Sequence, residues 1–368
     1  MNKNFLISIA ILSGTILGAG IFSLPYILGQ VGIVLAAAYL VFFGVVYFLV
    51  HRFYGEALQT APSGHNFLYF LRESMGLWAW EISSVLILAE FLLILTVYLI
   101  LAPAFGALIF GAAAWPVLLA FWAFGSLFIF FRLNVVGWTE FIGVAALIVF
   151  TGLIFSFGSR LVAVPTWPYA LSWPLVFLPF GPLLFSLAGR SAMAQVVDKE
   201  RESAKAGAPF SVTKVAFWGT SIAAAIYFIF AVGILRLTPN PAPDTLSGLT
   251  GLPAAVAAVL GVVGIIAIWK SYIVIGLNAK EMLDFDLRWP KFLGGLTIIA
   301  APLVFYLIGL NNFLSAIGLL GGIFLAFDSA LVVHIWRRLV PKSKWRPVSW
   351  ILYAIFLAAA VYEIASLL

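Results

Sequence analysis

The sequence predicts an all-α membrane protein that crosses a lipid bilayer about eleven times. Of its 368 residues, 64% are hydrophobic and only 9% are charged, whereas a soluble domain carries roughly 25% charged residues. About 235 hydrophobic residues (0.64 × 368) would fill about eleven helices of roughly 20 apolar residues each. The apolar runs are long and lack the alternation of a β-barrel, so strands are not expected.

Charged residues and Gly/Pro clusters mark where each predicted helix begins and ends. Between the second and third of these helices, residues 64–75 predict a short amphipathic helix at the membrane interface. We number the predicted spans 1 to 11 in chain order. They cover residues 5–31, 33–50, 77–101, 115–131, 137–157, 173–197, 210–235, 252–279, 292–309, 312–336 and 347–367.

The basic residues predict the orientation of the chain in the membrane. With eleven spans, 16 of the 20 lysines and arginines fall on the side of the N-terminus, whereas only Arg160 and Arg236 fall on the opposite side. Such an excess marks the cytoplasmic side. We therefore predict a multi-pass protein of the plasma membrane, with a cytoplasmic N-terminus and an extracytoplasmic C-terminus. The remaining two basic residues, Arg190 and Lys270, lie within spans.

Two spans carry small residues and prolines that predict breaks within the membrane. Span 1 contains Gly18-Ala19-Gly20 followed by Pro25, and span 6 contains residues 179–189 with two prolines and two glycines. Each is the first of five spans, and an odd-numbered block repeated in tandem enters the membrane in opposite orientations. We therefore predict a five-plus-five inverted repeat, residues 1–157 and 158–336, followed by an additional span in 337–368. Alternatively, the glycines only allow close helix packing.

Four stretches resemble the amino acid–polyamine–organocation superfamily, and its amino acid/auxin permease-like branch is nearest. They are residues 14–25 (GTILGAGIFSLP), 55–57 with 61–64 (GEA and APSG), 184–192 (LFSLAGRSA), and 271–277 (SYIVIGL) leading to Lys280–Leu283 and Asp286. The resemblance covers spans 1 to 10, while span 11 departs from members that have twelve spans. It implies the leucine-transporter fold and secondary transport of amino acids, with spans 1, 2, 6 and 7 rocking against the rest.

A broken helix can hold a zwitterion without a formal protein charge. Amide groups at Gly18, Ala19 and Gly20 would donate to the substrate carboxylate at the positive end of a helix dipole. Carbonyl groups freed at residues 185–188 would accept hydrogen bonds from the substrate ammonium. The resemblance implies the same roles. The predicted substrate-binding residues are Gly18, Ala19, Gly20, Ile21, Phe185, Ser186, Leu187, Ala188 and Arg190.

Lys270 lies near the middle of span 8, where a charge is costly and usually marks function or a partner. In sodium-coupled relatives, the resemblance implies a cation between span-1 carbonyls and span-8 hydroxyls, here Gly14 and Leu17 opposite Lys270 and Ser271. We hypothesise that the Lys270 ammonium replaces the sodium ion, which would make transport sodium-independent and, if the lysine releases its proton, proton-coupled. The alternatives are a static ion pair with Glu90 or Asp328, or a snorkelling side chain.

The other in-span charges have more than one interpretation each. Arg190 would contact an anionic part of the substrate, pair with Glu140, or point toward Asp198. Glu90, Glu140 and Asp328 are candidates for a proton relay because of their depth, and pairing between helices explains each equally well.

The predicted function is secondary active transport of a neutral or hydrophobic amino acid by alternating access. The alternative is an amino acid sensor that does not transport, similar to a germinant-receptor subunit. The expected partners are the amino acid, a proton or sodium ion as coupling ion, and the lipid bilayer, with no nucleic acid and no cofactor. An enzyme is not expected, because no histidine pairs with a carboxylate at a spacing typical of catalysis. The three histidines make no metal-ligand spacing, and His51 is interpreted as an interfacial residue.

Overall fold

The computed structural model describes residues 2–60, 67–111, 114–130, 136–157, 172–238, 240–249 and 252–368. These residues form helices joined by short turns, and the described part of the chain contains no β-strand. Six helices are long and apolar enough to cross a membrane, and a bent helix pair at span 1 makes a seventh. Four shorter apolar helices fall at the predicted spans 4, 5, 6 and 9. The prediction of an all-α polytopic membrane protein is confirmed.

The helices follow the predicted order, and we keep the span numbers. Span 1 comprises Lys3–Ile16, Ala19–Ser23 and Leu24–Val31, and span 6 comprises Trp173–Phe177, Phe180–Ser186 and Ala192–Lys205. Span 10 comprises Phe313–Leu319, Leu320–Leu325 and Ala326–Leu339. The remaining spans are Ile33–Gln59 (span 2), Leu77–Phe110 (span 3), Ala114–Phe130 (span 4), Val136–Phe157 (span 5), Val212–Leu237 (span 7), Ala254–Glu281 (span 8), Lys291–Leu307 (span 9) and Val348–Leu367 (span 11). A short helix at Phe67–Met75 precedes span 3.

Span 1 is broken where the sequence places its glycines. The first α-helix ends at Ile16, and Leu17 and Gly18 take extended backbone conformations. A 3₁₀ turn then leads into the second half, in which Pro25 occupies the first turn, where its missing N–H costs nothing. The two halves are bent by 49°. The peptide groups around Gly18 are therefore free of the helical ladder.

Span 6 is broken at the corresponding place. Its helix Phe180–Ser186 ends, and residues 187–191 are non-helical before the chain resumes a helix at Ala192. The two breaks touch, because a Cβ atom on Gly20 would lie only 2.6 Å from the Ser186 Cα atom. Only glycine at position 20 permits this approach.

Span 10 is irregular where it packs on span 6. Its segment Leu320–Leu325 is π-helical, and a Cβ atom on Gly321 would lie 2.6 Å from the Gly181 carbonyl carbon. A π-helical segment changes the helix register, and such segments often occur at functional sites. The change of register sets which face of span 10 packs against span 6. Asp328 follows one turn later.

Two groups of spans form the framework of the site. Spans 2 and 7 pack against each other and span 7 packs along span 1, whereas span 8 packs along spans 3 and 5. Span 2 is nine residues longer than predicted and continues to Gln59. The interpretation of His51 as an interfacial residue is therefore wrong. Its side chain is 0% exposed and its Nδ1 atom lies 3.0 Å from the Thr220 hydroxyl of span 7.

Candidate substrate site between the two broken helices

A cavity of about 100 Å³ lies between the two breaks. Backbone and side chains of spans 1 and 6 form two of its walls, and spans 2, 3, 8 and 10 complete it. Among the predicted residues, those that line the cavity are Gly18, Ala19, Gly20, Phe185, Ser186, Ala188, Arg190, Glu90 and Asp328. The structure therefore brings nine separately predicted positions into one place.

Other predicted residues lie outside this lining. The Ile21 and Leu187 side chains are fully buried in the hydrophobic core beside the cavity, because each follows a break and points away from the gap. Gly14, Leu17, Lys270 and Ser271 lie next to the cavity without lining it. The Glu140 side chain lies outside the described residues, and its pairing stays a prediction.

Tyr227 of span 7 connects both breaks. Its hydroxyl group lies 2.9 Å from the Ser186 carbonyl oxygen and also contacts the Ile16 carbonyl oxygen. The Gly18 amide nitrogen lies 3.4 Å from the same hydroxyl. Since a hydroxyl has one proton, Tyr227 donates to one carbonyl at a time while it accepts from Gly18. The free peptide groups of the two breaks are thus held by a single side chain.

Two further tyrosines border the cavity. The Tyr47 hydroxyl donates to the Leu184 carbonyl at 2.6 Å, just before the break in span 6. The Tyr98 hydroxyl lies 3.5 Å from the position of a Cβ atom on Gly18. None of Tyr47, Tyr98 and Tyr227 was predicted from the sequence. A tyrosine in the middle of an apolar span is a sequence signal that could have identified them, because its buried hydroxyl requires a hydrogen-bond partner.

An ion pair spans the cavity between spans 6 and 10. The Arg190 Nε atom lies 2.6 Å from Asp328 Oδ2, and the guanidinium carbon lies 4.0 Å from the centre of the Phe67 ring. Asp328 is therefore the partner of Arg190. This differs from the partners named for Arg190, whereas for Asp328 it is the pairing between helices given as one of its two interpretations. The break in span 6 turns Arg190 toward span 10, which the sequence could not indicate.

Glu90 of span 3 faces the same cavity and is 4% exposed. It lies close enough to Asp328 and Arg190 to interact electrostatically with both. Among the residues that the structure describes, it forms no ion pair, since the guanidinium is bound to Asp328. The Asp328 Oδ1 atom is likewise buried without a hydrogen-bond donor in the described part of the chain.

Lys270 lies between spans 8 and 1. Its side chain is 6% exposed, and its Nζ atom lies 3.5 Å from the Gly14 carbonyl oxygen, two residues before the end of the first helix. The neighbouring Ser271 hydroxyl lies 3.5 Å from the Ala267 carbonyl. The lysine is thus at the interface of spans 1 and 8.

Two polar cavities adjoin the site on the side of the N-terminus. One is lined by Thr15, Ser191, Gln195, Asn278 and Glu281, and it shares Thr15 and Ser191 with the central cavity. The other, of about 180 Å³, shares Arg190 and Ser191 and also reaches Glu281. Together they extend from residues of the site to the end of span 8 along Ser191, Asn278 and Glu281, and we refer to them as the polar path.

An aromatic cluster closes the opposite side. Phe22, just beyond the break in span 1, packs edge-to-face on Phe105, Phe150 and Phe230, at ring-centre distances of 5.2 to 5.9 Å. All four rings are fully buried. A path toward one side and a packed aromatic layer toward the other describe a conformation that is accessible from the side of the N-terminus.

The fold is similar to that of solved membrane transporters. Mhp1, a nucleobase-cation-symport-1 family transporter bound to bromovinylhydantoin, matches with a TM-score of 0.59 and 16% identity over 99% of this chain and 91% of its own. MhsT in complex with L-phenylalanine matches with a TM-score of 0.63 and 13% identity over 98% and 99%. The manganese transporter of Eremococcus coleocola matches with a TM-score of 0.63 and 14% identity over 99% and 87%. No family profile and no curated protein matches the sequence.

These likenesses establish the leucine-transporter fold that the sequence predicted. At this level of identity they show the fold alone, and membership of the amino acid/auxin permease-like branch stays a prediction. The three neighbours are all transporters, which agrees with the expectation that the chain is not an enzyme.

Proposed function

We propose that this chain is a secondary active transporter of neutral or hydrophobic amino acids that works by alternating access. The observation that carries the proposal is the convergence of two helix breaks, a guanidinium and a carboxylate on one buried cavity. Membrane transporters bind their substrates at such discontinuous helices near the middle of the bilayer. The bound L-phenylalanine of MhsT, which has the same fold, supports the substrate class.

The cavity matches both charged groups of an amino acid. The donors for the substrate carboxylate are the peptide N–H groups at Gly18, Ala19 and Gly20 and the outer edge of the Arg190 guanidinium. Carbonyl groups of the span 6 break are the acceptors for the ammonium. Each charged group of a buried ligand needs such partners, because an unpaired charge in a low-dielectric site is costly. Phe185 and Ile94 offer an apolar surface for a side chain.

The position of Lys270 supports transport without sodium. Its ammonium group contacts a carbonyl of span 1 and is adjacent to Ser271, at the place where the family resemblance implies a sodium ion. A resident ammonium there would supply the positive charge of the ion in every turnover. The coupling ion would then be the proton.

The orientation and the division of the chain belong to the same proposal. The polar path from the cavity would open to the cytoplasm, which places the N-terminus inside and the C-terminus outside. Residues 1–157 and 158–336 would form the two halves of an inverted repeat, and 337–368 would add span 11. Movement of spans 1, 2, 6 and 7 against the rest would close this path and open the aromatic layer around Phe22.

A binding screen followed by a transport assay tests the proposal. We expect one or more of the twenty amino acids to raise the thermal stability of the purified protein, equally with and without sodium. The same labelled amino acid should show counterflow in proteoliposomes. Arg190→Ala should abolish both signals, whereas Arg338→Ala, at an exposed position, should preserve them.

The outcomes separate the candidate functions. Stabilisation by an amino acid without counterflow would favour the sensor over the transporter. If none of the twenty amino acids changes the thermal stability, the proposed substrate class is wrong. Counterflow that requires sodium would contradict the role given to Lys270.

A further inference from the structure

The charges that line the cavity do not balance. The lining contains one arginine and two carboxylates, Arg190, Glu90 and Asp328, and its other residues are uncharged. An amino acid zwitterion adds no net charge, so the loaded site would still have one excess negative charge. A buried site with an uncompensated charge is strongly disfavoured. A proton on one of the two carboxylates would remove this excess within the lining, which does not include the Lys270 ammonium beside Gly14.

The geometry indicates which carboxylate takes the proton. Asp328 binds the Arg190 Nε atom at 2.6 Å and is thereby compensated. Glu90 is equally buried but forms no ion pair with any residue in the described part of the chain. The ion pair with Arg190 stabilises the ionised form of Asp328. The Asp328 carboxylate in turn disfavours a second negative charge in the same cavity. Of the two, Glu90 is the group on which a proton relieves the imbalance.

We propose that Glu90 is the residue that carries the coupling proton: it binds a proton when the substrate enters the cavity and releases that proton when the substrate leaves on the other side. This rests on the proposed transport function and specifies its coupling. No covalent step is involved, because a proton from water binds the carboxylate and is later returned to water on the other side. The Asp328 Oδ1 atom, buried and without a described donor, supplies an acceptor for the new O–H group on the same cavity.

The groups that face Glu90 come from three other elements. Arg190 of span 6 and Asp328 of span 10 act on it electrostatically, and so does the Tyr47 hydroxyl of span 2. Span 8 packs along span 3, but its lysine, Lys270, contacts Gly14 of span 1. The charge that Glu90 meets therefore depends on the position of span 6, because Arg190 is the cation in this set.

The polar path on the side of the N-terminus is the proton route to Glu90 in this proposal. The two adjoining cavities pass Ser191 and Asn278 and reach Glu281, which is exposed. Polar and carboxylate side chains of this kind can hold the water that conducts a proton. On the other side the cluster around Phe22 blocks access. Glu90 thus exchanges its proton with one side only in this conformation, as coupling requires.

Infrared difference spectroscopy tests the protonation without a substrate. A pH jump applied to the purified wild-type protein in lipid should produce a carbonyl-stretch band of a protonated carboxyl group. Glu90→Gln should remove this band. Glu363→Gln is the matched control, because Glu363 is a glutamate buried in span 11 against Gly318 and Gly322, away from the cavity, and this variant should retain the Glu90 band.

Transport by the same variants tests the coupling. In proteoliposomes with an imposed pH gradient, wild type and Glu363→Gln should accumulate the labelled amino acid found in the screen, and Glu90→Gln should lose accumulation at least tenfold. Exchange of internal for external amino acid should persist in Glu90→Gln, which also shows that the variant is folded. The assignment is overturned if the infrared band persists in Glu90→Gln, or if the pH gradient drives accumulation in that variant.

Failure of the two proposals is distinguishable. If no amino acid binds, the transport proposal fails, yet the infrared band and its loss in Glu90→Gln still report whether Glu90 titrates. If amino acids exchange normally and the band does not depend on Glu90, the transport proposal stands and the proton-carrier assignment fails.

Discussion

The hydroxyl group of Tyr227 lies 2.9 Å from the carbonyl oxygen of Ser186, so one side chain of span 7 supports the break in span 6. The same hydroxyl contacts the carbonyl of Ile16 at the break in span 1. Spans 1, 6 and 7 are therefore joined at the middle of the protein by a group with a single proton. Movement of any one of these helices relative to the others must break one of these interactions.

We expect Tyr227→Phe to weaken substrate binding as well as the fold. Removal of the hydroxyl leaves buried carbonyls without a donor, which costs about 1–3 kcal/mol, and it loosens the peptide groups that face the substrate. Substrate affinity should fall about tenfold, the change that corresponds to about 1.4 kcal/mol. Equilibrium binding and thermal unfolding of the purified variant provide the measurement.

Tyr39→Phe is the control for this prediction. The Tyr39 hydroxyl also donates to a carbonyl of span 6, that of Val176, at 2.7 Å. Val176 does not line the cavity, whereas Ser186 and Gly18, the partners of Tyr227, do. Loss of the Tyr39 hydroxyl should lower stability to a similar extent and leave affinity unchanged. Equal effects of both substitutions on affinity would mean that Tyr227 has only a structural role.

A side chain at position 20 should disable the substrate site by a steric clash. A Cβ atom there would overlap the Ser186 hydroxyl oxygen and lie 2.6 Å from the Ser186 Cα atom. Rotation of the serine side chain would relieve the first clash but not the second, because the second involves the backbone. Gly20→Ala should therefore separate the two breaks and abolish amino acid binding. Thermal-shift measurements with the bound amino acid would detect the loss.

Gly44→Ala provides the matched comparison. Gly44 lies within the span 2 helix, and nothing stands within 4 Å of a Cβ atom at this position. Alanine is favoured over glycine in a helix by about 1 kcal/mol, so this variant should be as stable as wild type or more stable. Normal binding by Gly20→Ala would show that the close approach to Ser186 is not required.

Separation of the Arg190–Asp328 pair should be more harmful than removal of both charges. Either Arg190→Met or Asp328→Asn alone leaves a buried charge without its partner. In comparable pairs this lowers the free energy of unfolding by about 3–5 kcal/mol. The double variant removes both and should recover part of the stability. Thermal unfolding of the four proteins in detergent forms a double-mutant cycle that measures the coupling.

The reference for this cycle is a pair near the end of span 8. Lys280 and Asp284 lie 3.0 Å apart, but the lysine is one-third exposed, and such pairs contribute about 0–1 kcal/mol. Lys280→Met should therefore change the unfolding temperature little. Additive losses in the Arg190 and Asp328 variants would contradict the buried ion pair.

The Lys270 hypothesis predicts how transport responds to sodium. Wild-type uptake should be the same with and without sodium, because the ammonium group already occupies the position beside the Gly14 carbonyl. Lys270→Ala should lose most uptake, and Lys214→Ala, a substitution of a lysine at the start of span 7, should lose none. The measurement is initial uptake into proteoliposomes at two pH values. Full, pH-dependent uptake by Lys270→Ala would refute the hypothesis.

Several features of the fold could be predicted because they depend on local sequence. Runs of apolar residues identify spans in any arrangement, since only helices satisfy the backbone in lipid without neighbours. The cluster Gly18-Ala19-Gly20 and the prolines of span 6 weaken a helix by their own conformational preferences. Span 2 departs from this rule, because its polar end at His51, Arg52 and Glu56 marks a boundary in the sequence but not in the structure.

The end of span 2 stays helical because tertiary interactions satisfy its polar groups. Glu56 accepts from Arg52 at 2.7 Å and from the Trp336 indole of span 10 at 2.7 Å. Phe53 stacks on the same indole at 3.7 Å between ring centres. None of these partners is near in sequence except Arg52, so hydrophobicity alone ended the predicted span too early.

The sequence by itself determined the membrane class, the order of the spans and the positions of both breaks, because each follows from the chemistry of neighbouring residues. Tertiary structure decided which charges meet. Arg190 could have paired with any of several carboxylates, and only the packing of the π-helical segment of span 10 on span 6 brings Asp328 to it. The same packing leaves Glu90 without an ion-pair partner among the described residues, because partners in a helical bundle are set by helix rotation and packing.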